Sequence, residues 1–301
     1  MSGICEGRIV VITGAGNGLG RSYALAFARE GAKVVVNDLG VSLGGEGRDT
    51  ATAQKVVDEI KAFGGEAVAN GDDVADFEGA KRIIQTAVDT FGGLDVVVNN
   101  AGIVRDRMFV SCTPEEWDAV LRVHLRGHFS VSSHAVSFWR AQQKAGARVD
   151  ARIINTSSGA GLQGSIGQSA YAAAKGGIAS LTLVQAAELA RYGITANALA
   201  PAARTRMTEG AFADKMKRPV EGFDVQDPDN IAPTVVWLGS ADSAGVTGCV
   251  FDIEGGRITI ADGWNDGPTF DKHAKWDPRE IGPVVADLLA QRRPQKKVWG
   301  T

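Results

Sequence analysis

Only three cysteines occur in the 301 residues, Cys5, Cys112 and Cys249, widely spaced and without His or Cys neighbours at metal-ligand spacing. That excludes a disulfide framework and a cysteine-built metal centre, leaving packing residues or free thiols, and no metal is expected. No stretch approaches the ~18 consecutive apolar residues of a spanning helix, and the amino terminus enters an apolar segment at Arg8 without a signal-peptide layout. A cytoplasmic location with no membrane partner is therefore expected. Excess basic charge is also missing: 32 Lys and Arg against 35 Asp and Glu give a net charge of -3 and a pI near 5.9. Such a chain has no field for a phosphate backbone, so nucleic acid is not an expected partner. Neither an internal repeat nor a low-complexity linker is present, and the length suits one sizeable core. Glycine is what the chain has in plenty, 38 residues, about twice the usual ~7%. Without a collagen-like period, such glycines mark turns and close backbone approaches.

Short β-branched runs alternate with helix-length segments, the pattern of a mostly parallel sheet covered on both faces. Strands are expected near Arg8–Thr13, Lys33–Asp38, Glu66–Asn70, Asp95–Asn99, Arg152–Thr156, Ile194–Ala198 and Cys249–Ile253. Apolar residues at helical spacing predict helices over Gly20–Glu30, Ala51–Phe63, Phe77–Phe91, Pro114–Trp139, Ser169–Tyr192 and Pro228–Leu238. Thr113 is the expected N-cap of the fourth, with Glu115 and Glu116 in its first turn. The fold class is α/β: a Rossmann-like, doubly wound, seven-stranded parallel sheet. Residues 1–256 are read as a single catalytic domain. Leu39–Thr50 and Ala141–Ala151 look inserted, and residues 257–301, with Trp264, Trp276 and Trp299, read as an extension packed on the domain or on a partner subunit. The basic end of that extension, Arg292, Arg293, Lys296 and Lys297, reads as a solvated or oligomer-facing segment.

Thr13-Gly-Ala-Gly-Asn-Gly-Leu-Gly20 lies between the first strand and the first helix. There a tight turn lets backbone N–H groups and a helix N-terminus meet a pyrophosphate, so Gly14, Asn17, Gly18, Leu19 and Gly20 are candidate cofactor contacts. Its spacing is GxxxGxG, and alone it is weak evidence, a plain strand-to-helix turn being the alternative. Asp38 closes the second strand, where a carboxylate accepts both ribose hydroxyls and repels a 2′-phosphate. No Lys or Arg stands at Ala15, Asn17 or Leu39 to meet such a phosphate. The combination favours NAD over NADP.

Tyr171 and Lys175, four apart near a helix start, share one face. An ammonium beside a phenol favours phenolate, and Lys175 together with an oxidised nicotinamide would bring the tyrosine pKa down from ~10. A lone YxxxK means little, but Ser158 follows the fifth strand at its carboxyl end, the edge where open α/β sheets bind ligands. Asn99-Asn-Ala-Gly102 ends the fourth strand at the same edge, so Asn100, Ala101 and Gly102 are candidates both for tying the strand to its neighbours and for touching cofactor.

With those motifs, Asp73-Val74, Pro201 and Val246-Thr-Gly, the stretch from about Arg8 to Gly256 resembles the short-chain dehydrogenase/reductase family. The resemblance implies that Ser158 polarises the substrate oxygen, that Tyr171 is the acid/base, and that Lys175 binds the nicotinamide ribose and lowers the tyrosine pKa. It implies adenine contacts from Asp73 and Val74, a ribose contact from Asn100, and carboxamide-side contacts from the loop beginning at Pro201, with Thr205 one residue earlier than usual. It also implies a homodimer or homotetramer built on the long helices. One departure concerns His124, in Val123-His-Leu-Arg-Gly127, where the family usually has a catalytic asparagine. This histidine either serves a proton relay or is a buried, satisfied side chain.

VVVNDLG, VVVNNAGIVRDRMF and RVHLRGHF resemble the dehydrogenase units of the peroxisomal multifunctional enzymes, a subgroup acting on (3R)-hydroxyacyl-CoA thioesters and 17β-hydroxysteroids. His124 is then a subgroup feature. No hydratase or sterol-carrier segment follows, and Trp-Gly-Thr is not an SKL-type address, so a free-standing bacterial version is expected. The implied activity is NAD-dependent oxidation of a bulky secondary alcohol, with a hydroxysteroid or terpenoid alcohol as the alternative substrate. Arg105, Arg107, Arg122 and Arg126 flank the carboxyl edge and are candidates for CoA phosphates or, in the more frequent pattern, for local ion pairs. A non-catalytic NAD(H)-binding sensor is the reading from another class, and an intact Ser158, Tyr171 and Lys175 speaks against it.

Overall fold

The computed structural model describes residues 3–49, 51–209, 214, 216–294 and 296–300. Thr50, which ends the first inserted stretch, and residues 210–213 and 215, within the loop after the sixth strand, lie outside them. The strands are β1 Ile9–Thr13, β2 Lys33–Asn37, β3 Glu66–Asn70, β4 Val96–Asn99, β5 Ala151–Thr156, β6 Ile194–Ala202, β7 Val250–Glu254 and β8 Arg257–Ile260. They form one sheet in the order β3-β2-β1-β4-β5-β6-β7-β8. The first seven run parallel and β8 pairs antiparallel with β7. The parallel sheet is thus the expected one, with an added edge: the extension begins by turning back at Gly255 and Gly256 and contributing a strand.

The helices are α1 Gly18–Arg29, α2 Ala51–Ala62, α3 Phe77–Phe91, α4 Pro114–Leu121, α5 Gly127–Lys144, α6 Gly159–Gln163, α7 Ser169–Leu189, α8 Arg206–Glu209, α9 Ala232–Gly239 and α10 Pro278–Gln291. Among the described residues, none is long and apolar enough to cross a membrane. The segment expected as one helix from Pro114 is α4 and α5 joined by a π-helical turn over Arg122–Arg126. Its start is as anticipated: Thr113 Oγ accepts from the Glu116 N–H, and the Glu116 carboxylate accepts from the Thr113 N–H.

Side chains alternate across the strands and supply two cores. Val10, Ile12, Val34, Val36, Val96, Val98 and Ile154 face α1, α2 and α9, whereas Val11, Val35, Val97 and Ile153 face α3, α5 and α7. Burying each contributes roughly 1.5–3 kcal/mol, and burial on both faces is why these strands read as unbroken β-branched runs. Strand order reverses between β1 and β4, so the crevice beyond their carboxyl ends is where such a sheet takes a ligand. The chain after β1 is the glycine turn, and the chain after β4 is Asn100-Ala-Gly.

Candidate active site

The crevice is a cleft of about 270 Å³. Its walls include Gly14, Asn17, Gly18, Leu19 and Gly20 from the glycine turn, Asp38 after β2, Asp73 and Val74 after β3, and Asn100, Ala101 and Gly102 after β4. Thr205 closes it from the loop after β6. Every one of these was named as a candidate from sequence. The turn and the β4 loop are bound together. Asn100 Nδ2 donates to the carbonyls of Thr13 and Gly14, each at 3.0 Å, and Thr13 Oγ1 accepts from the N–H of Asn100 and of Ala101 at 3.0 and 3.1 Å. Gly14 has φ +62°, and a Cβ there would lie 2.8 Å from Ala101 Cα, so only glycine serves. The Asp38 carboxylate accepts from the Gly16 N–H with one oxygen and from the Gly40 N–H with the other, both at 2.8 Å, which fixes its plane.

Pro201 is placed differently from the expectation. It lies inside β6, opposite Ile253, because pairing with β7 continues to Ala202 and Glu254. The cleft wall from this segment is instead Thr205, Arg206 and Met207. The inserted stretch after Asp38 also does more than its composition suggested, since Leu39, Val41, Ser42, Leu43 and Gly45 line the cleft. It is held there by the Val104 N–H on the Leu43 carbonyl and by the Arg105 guanidinium on the Gly44 carbonyl at 2.8 and 3.1 Å. Of the other edge arginines, Arg107 pairs with Glu116 at 2.9 Å and Arg122 with Asp73 at 2.7 Å, while Arg126 is exposed.

Ser158, Tyr171, Lys175 and His124 come together beside the cleft. Ser158, in extended conformation, caps α6: its Oγ accepts from the Ala160 N–H at 3.2 Å. Tyr171 and Lys175 project from the first turns of α7, with Lys175 Nζ 5.5 Å from the tyrosine ring centroid. Lys175 Nζ donates to the Thr156 carbonyl at 2.6 Å. Burial pushes its pKa down to about 7. Burial also raises the Tyr171 phenol, against the hydrogen bond from Ser158 that lowers it; the Asp106 carboxylate adds a smaller upward push. The downward push expected on this phenol needs Lys175 together with an oxidised nicotinamide; the protein's own groups, by burial, raise it. Desolvation disfavours the charged form of both side chains.

His124 sits in the π-helical turn, a local widening that recurs at functional sites. Its ring meets Tyr171 edge-on, centroids 5.2 Å apart. Nε2 lies 2.8 Å from the Ile103 carbonyl and 3.1 Å from the Ile103 N–H. Burial, then the nearby Lys175, push its pKa down to about 3, so it is neutral. Its buried Nδ1 has no hydrogen-bond partner among the described residues. Gly102 makes room for the ring: a Cβ there would collide with His124 Cε1. The histidine thus spans cleft wall and tyrosine.

A layer beneath these residues gave no sequence signal beyond Asn99, whose motif reads as tying its strand to the neighbours. His128 is buried on the same helix face one turn on, its Nε2 accepting from the Thr156 N–H at 3.2 Å. Asn99 donates to Asn155 at 3.0 Å and to Ser132 at 2.9 Å, and Asn155 donates to Thr182 and Gln185 at 2.9 and 2.8 Å. Each is a polar residue in an apolar run, and only the run's packing tells a buried ladder from a solvated edge.

A glycine turn at the switch point, a carboxylate ending β2, and a serine, tyrosine and lysine beside the cleft define a dinucleotide-dependent oxidoreductase site. Comparison with known proteins gives the particular family: residues 8–216 match the short chain dehydrogenase family, to which the chain belongs. It is an oxidoreductase acting on CH–OH groups, and the family binds nicotinamide dinucleotides. The chain is similar to hydroxyacyl-CoA dehydrogenase ChsB1 of Mycobacterium tuberculosis, 42% identical over 303 residues, covering 98% of this chain and 93% of that one. It is 44% identical over 253 residues to peroxisomal multifunctional enzyme type 2 of Mus musculus, covering 84% of this chain and 32% of the mouse protein's length. A crystal structure of a short chain dehydrogenase from Mycobacterium avium superposes with a TM-score of 0.89 at 59% identity, over 99% of this chain and 100% of that one.

Proposed function

We infer that this chain transfers hydride between NAD and a secondary alcohol, the 3-hydroxyl of a (3R)-hydroxyacyl-CoA thioester. The substrate class is carried by the relative named hydroxyacyl-CoA dehydrogenase, similar along nearly the whole chain. The preference for NAD rests on Asp38, whose carboxylate plane is set by two backbone amides at the end of β2. The residues present fit a dinucleotide: a glycine turn no side chain could replace at Gly14, a cleft of about 270 Å³ and a carboxylate for a ribose diol.

When bound, the oxidised nicotinamide supplies the hydride acceptor and a positive charge. Ser158 holds the substrate oxygen. Tyr171 takes the hydroxyl proton, and Lys175, anchored on Thr156, orients toward the tyrosine side of the cleft. His124, neutral, keeps the β4 loop and Tyr171 in register through Ile103.

The test is NADH formation with a medium-chain (3R)-hydroxyacyl-CoA, its (3S) epimer and a 17β-hydroxysteroid, each with NAD and with NADP. Turnover of the (3R) thioester with NAD is expected, and Asp38→Ala should narrow the preference for NAD. Turnover of the steroid alone moves the substrate to hydroxysteroids, and efficient use of NADP refutes the role given to Asp38.

A further inference from the structure

The chain after β6 folds over the glycine turn from across the cleft. Arg204 is buried beneath it, its guanidinium paired with the Asp224 carboxylate and donating to the Met216 carbonyl at 3.1 Å. The Arg204 N–H donates to the Gln226 carbonyl at 2.6 Å. Thr208 closes the next turn: its Oγ1 accepts from the Thr205 N–H and donates to the Ala203 carbonyl, both at 2.8 Å. With Arg204 anchored below and Thr208 holding the turn, Thr205, Arg206 and Met207 face the cleft, and all three line it. A Cβ placed on Gly18 would lie 3.5 Å from the Thr205 methyl, so this wall stands against the amino end of α1.

The charges of the cleft wall are unevenly satisfied. Asp38, Asp72, Asp73, Arg122 and Arg206 line it, three carboxylates against two guanidiniums. Asp72 pairs with Arg82 and Asp73 with Arg122, each at 2.7 Å, and Asp38 accepts from two backbone amides. Arg206 is exposed and its side chain makes no ion pair or hydrogen bond among the described residues. A dinucleotide brings the two negative charges of its diphosphate to a wall whose formal charge is already negative, so attraction has to come from donors not already neutralised. The backbone amides of the glycine turn supply partial charge. The full charge left over in the wall is that of Arg206.

We propose that Arg206 pairs with the diphosphate of the bound dinucleotide, across the cleft from the glycine turn, and tightens the cofactor there. This rests on the cleft being the dinucleotide site and not on the choice between NAD and NADP, which carry the same diphosphate. The CoA thioester of the proposed reaction carries a diphosphate as well. Arg206 is assigned to the cofactor because it lines the same cavity as the glycine turn, a cavity that Ser158 and Tyr171 do not line. A guanidinium suits the task, since its planar fork meets two phosphate oxygens at once.

The test titrates NADH, NADPH and ADP-ribose against the wild type, Arg206→Gln and Arg206→Lys by fluorescence, at low and high salt, beside urea midpoints and the KM of the thioester. ADP-ribose keeps the diphosphate and lacks the nicotinamide. Arg206→Gln is expected to weaken NADH and ADP-ribose alike by about tenfold or more at low salt, a size set by one charge-assisted pair, and to flatten the salt dependence of both. Arg206→Lys should keep the salt dependence and recover part of the affinity. The urea midpoint should not move, because the substitution strands no partner among the described residues, and the thioester KM should stay within about twofold. Unchanged NADH affinity in Arg206→Gln overturns the proposal, as does a loss confined to NADH with ADP-ribose unaffected. A rise in thioester KM alone overturns it too and gives the arginine to the substrate's diphosphate, and a loss that Arg206→Lys does not reduce, accompanied by a lower urea midpoint, makes the role structural. A wild type that binds NADPH and not NADH refutes the role given to Asp38 alone, and the same loss is then expected with NADPH. Binding of neither dinucleotide refutes the cofactor reading and this proposal with it.

Discussion

Lys175 keeps its Nζ 2.6 Å from the Thr156 carbonyl while burial holds its pKa at about 7, against an ordinary value of 10.5. Between those two values the unfolded chain binds a proton that the folded site has released, so on this account stability rises with pH across that window. The same desolvation raises Tyr171. In the proposed oxidation, the group that must be ionised before it can take the substrate proton thus sits where ionisation is unfavourable until positive charge arrives with the cofactor, which would tie proton transfer to cofactor binding. Tyr171→Phe should lower kcat by about 10²–10⁴-fold and leave NADH affinity nearly unchanged, measured by steady-state kinetics beside fluorescence titration. At Gly102, substitution by Ala puts a methyl into the His124 ring. Overpacking of this kind costs about 1–3 kcal/mol, so Gly102→Ala should lower the urea midpoint and, by displacing the ring that meets Tyr171, reduce kcat as well.

Helix α4, the π-helical turn and α5 act as one element with its irregularity where His124 must face inward. The turn puts His124 and then His128 on the buried side. Periodicity could predict a long helix from Pro114 but not the one-residue widening, because the apolar pattern on either side is undisturbed. The amino end was legible: Thr113 and Glu116 form the reciprocal bonds their spacing implies, and Thr113→Ala should cost about 1 kcal/mol in chemical denaturation. The link between β4, β5 and α7 is polar, running from Asn99 through Asn155 to Thr182 and Gln185. Asn155→Leu takes the donor from Gln185 Oε1 and one bond each from Asn99 and Thr182, which keep Ser132 and the Ile178 carbonyl, and an unsatisfied buried group costs about 1–3 kcal/mol. A drop of at least about 2 kcal/mol in unfolding free energy is expected on that basis.

Across the whole molecule, two cores on the faces of a single sheet hold the edge where the chemistry lies, and two buried histidines make that arrangement sensitive to acid. The His124 pKa is pushed from 6.5 to about 3 by burial and by Lys175, and His128 is well below its ordinary value for the same first reason. Between about 3 and 6.5 the unfolded chain takes up a proton that folded His124 refuses. Stability therefore rises with pH over that window and is lost as pH falls below 6.5, by up to about 1.4 kcal/mol per pH unit for each such group. Urea midpoints at pH 7, 6 and 5 should fall in that order, and His124→Asn should flatten the trend. A midpoint independent of pH would refute the assignment.

The short, largely apolar runs already specified seven parallel strands, because a strand buried on both faces is apolar at most positions. The glycine turn, Asp38, Ser158, Tyr171 and Lys175 were equally legible, since each depends on a local spacing next to a strand end. Residues brought in from far along the chain were not. The stretch after Asp38 became a cleft wall through Val104 and Arg105, Pro201 was taken into β6 by pairing with β7, and the chain end reached Gly159 through Gly164 and Ile166. Charge state was a tertiary matter too: the spacing of Tyr171 and Lys175 showed two partners on one helix face, and only their depth in the protein decided that burial alone raises the phenol and lowers the amine.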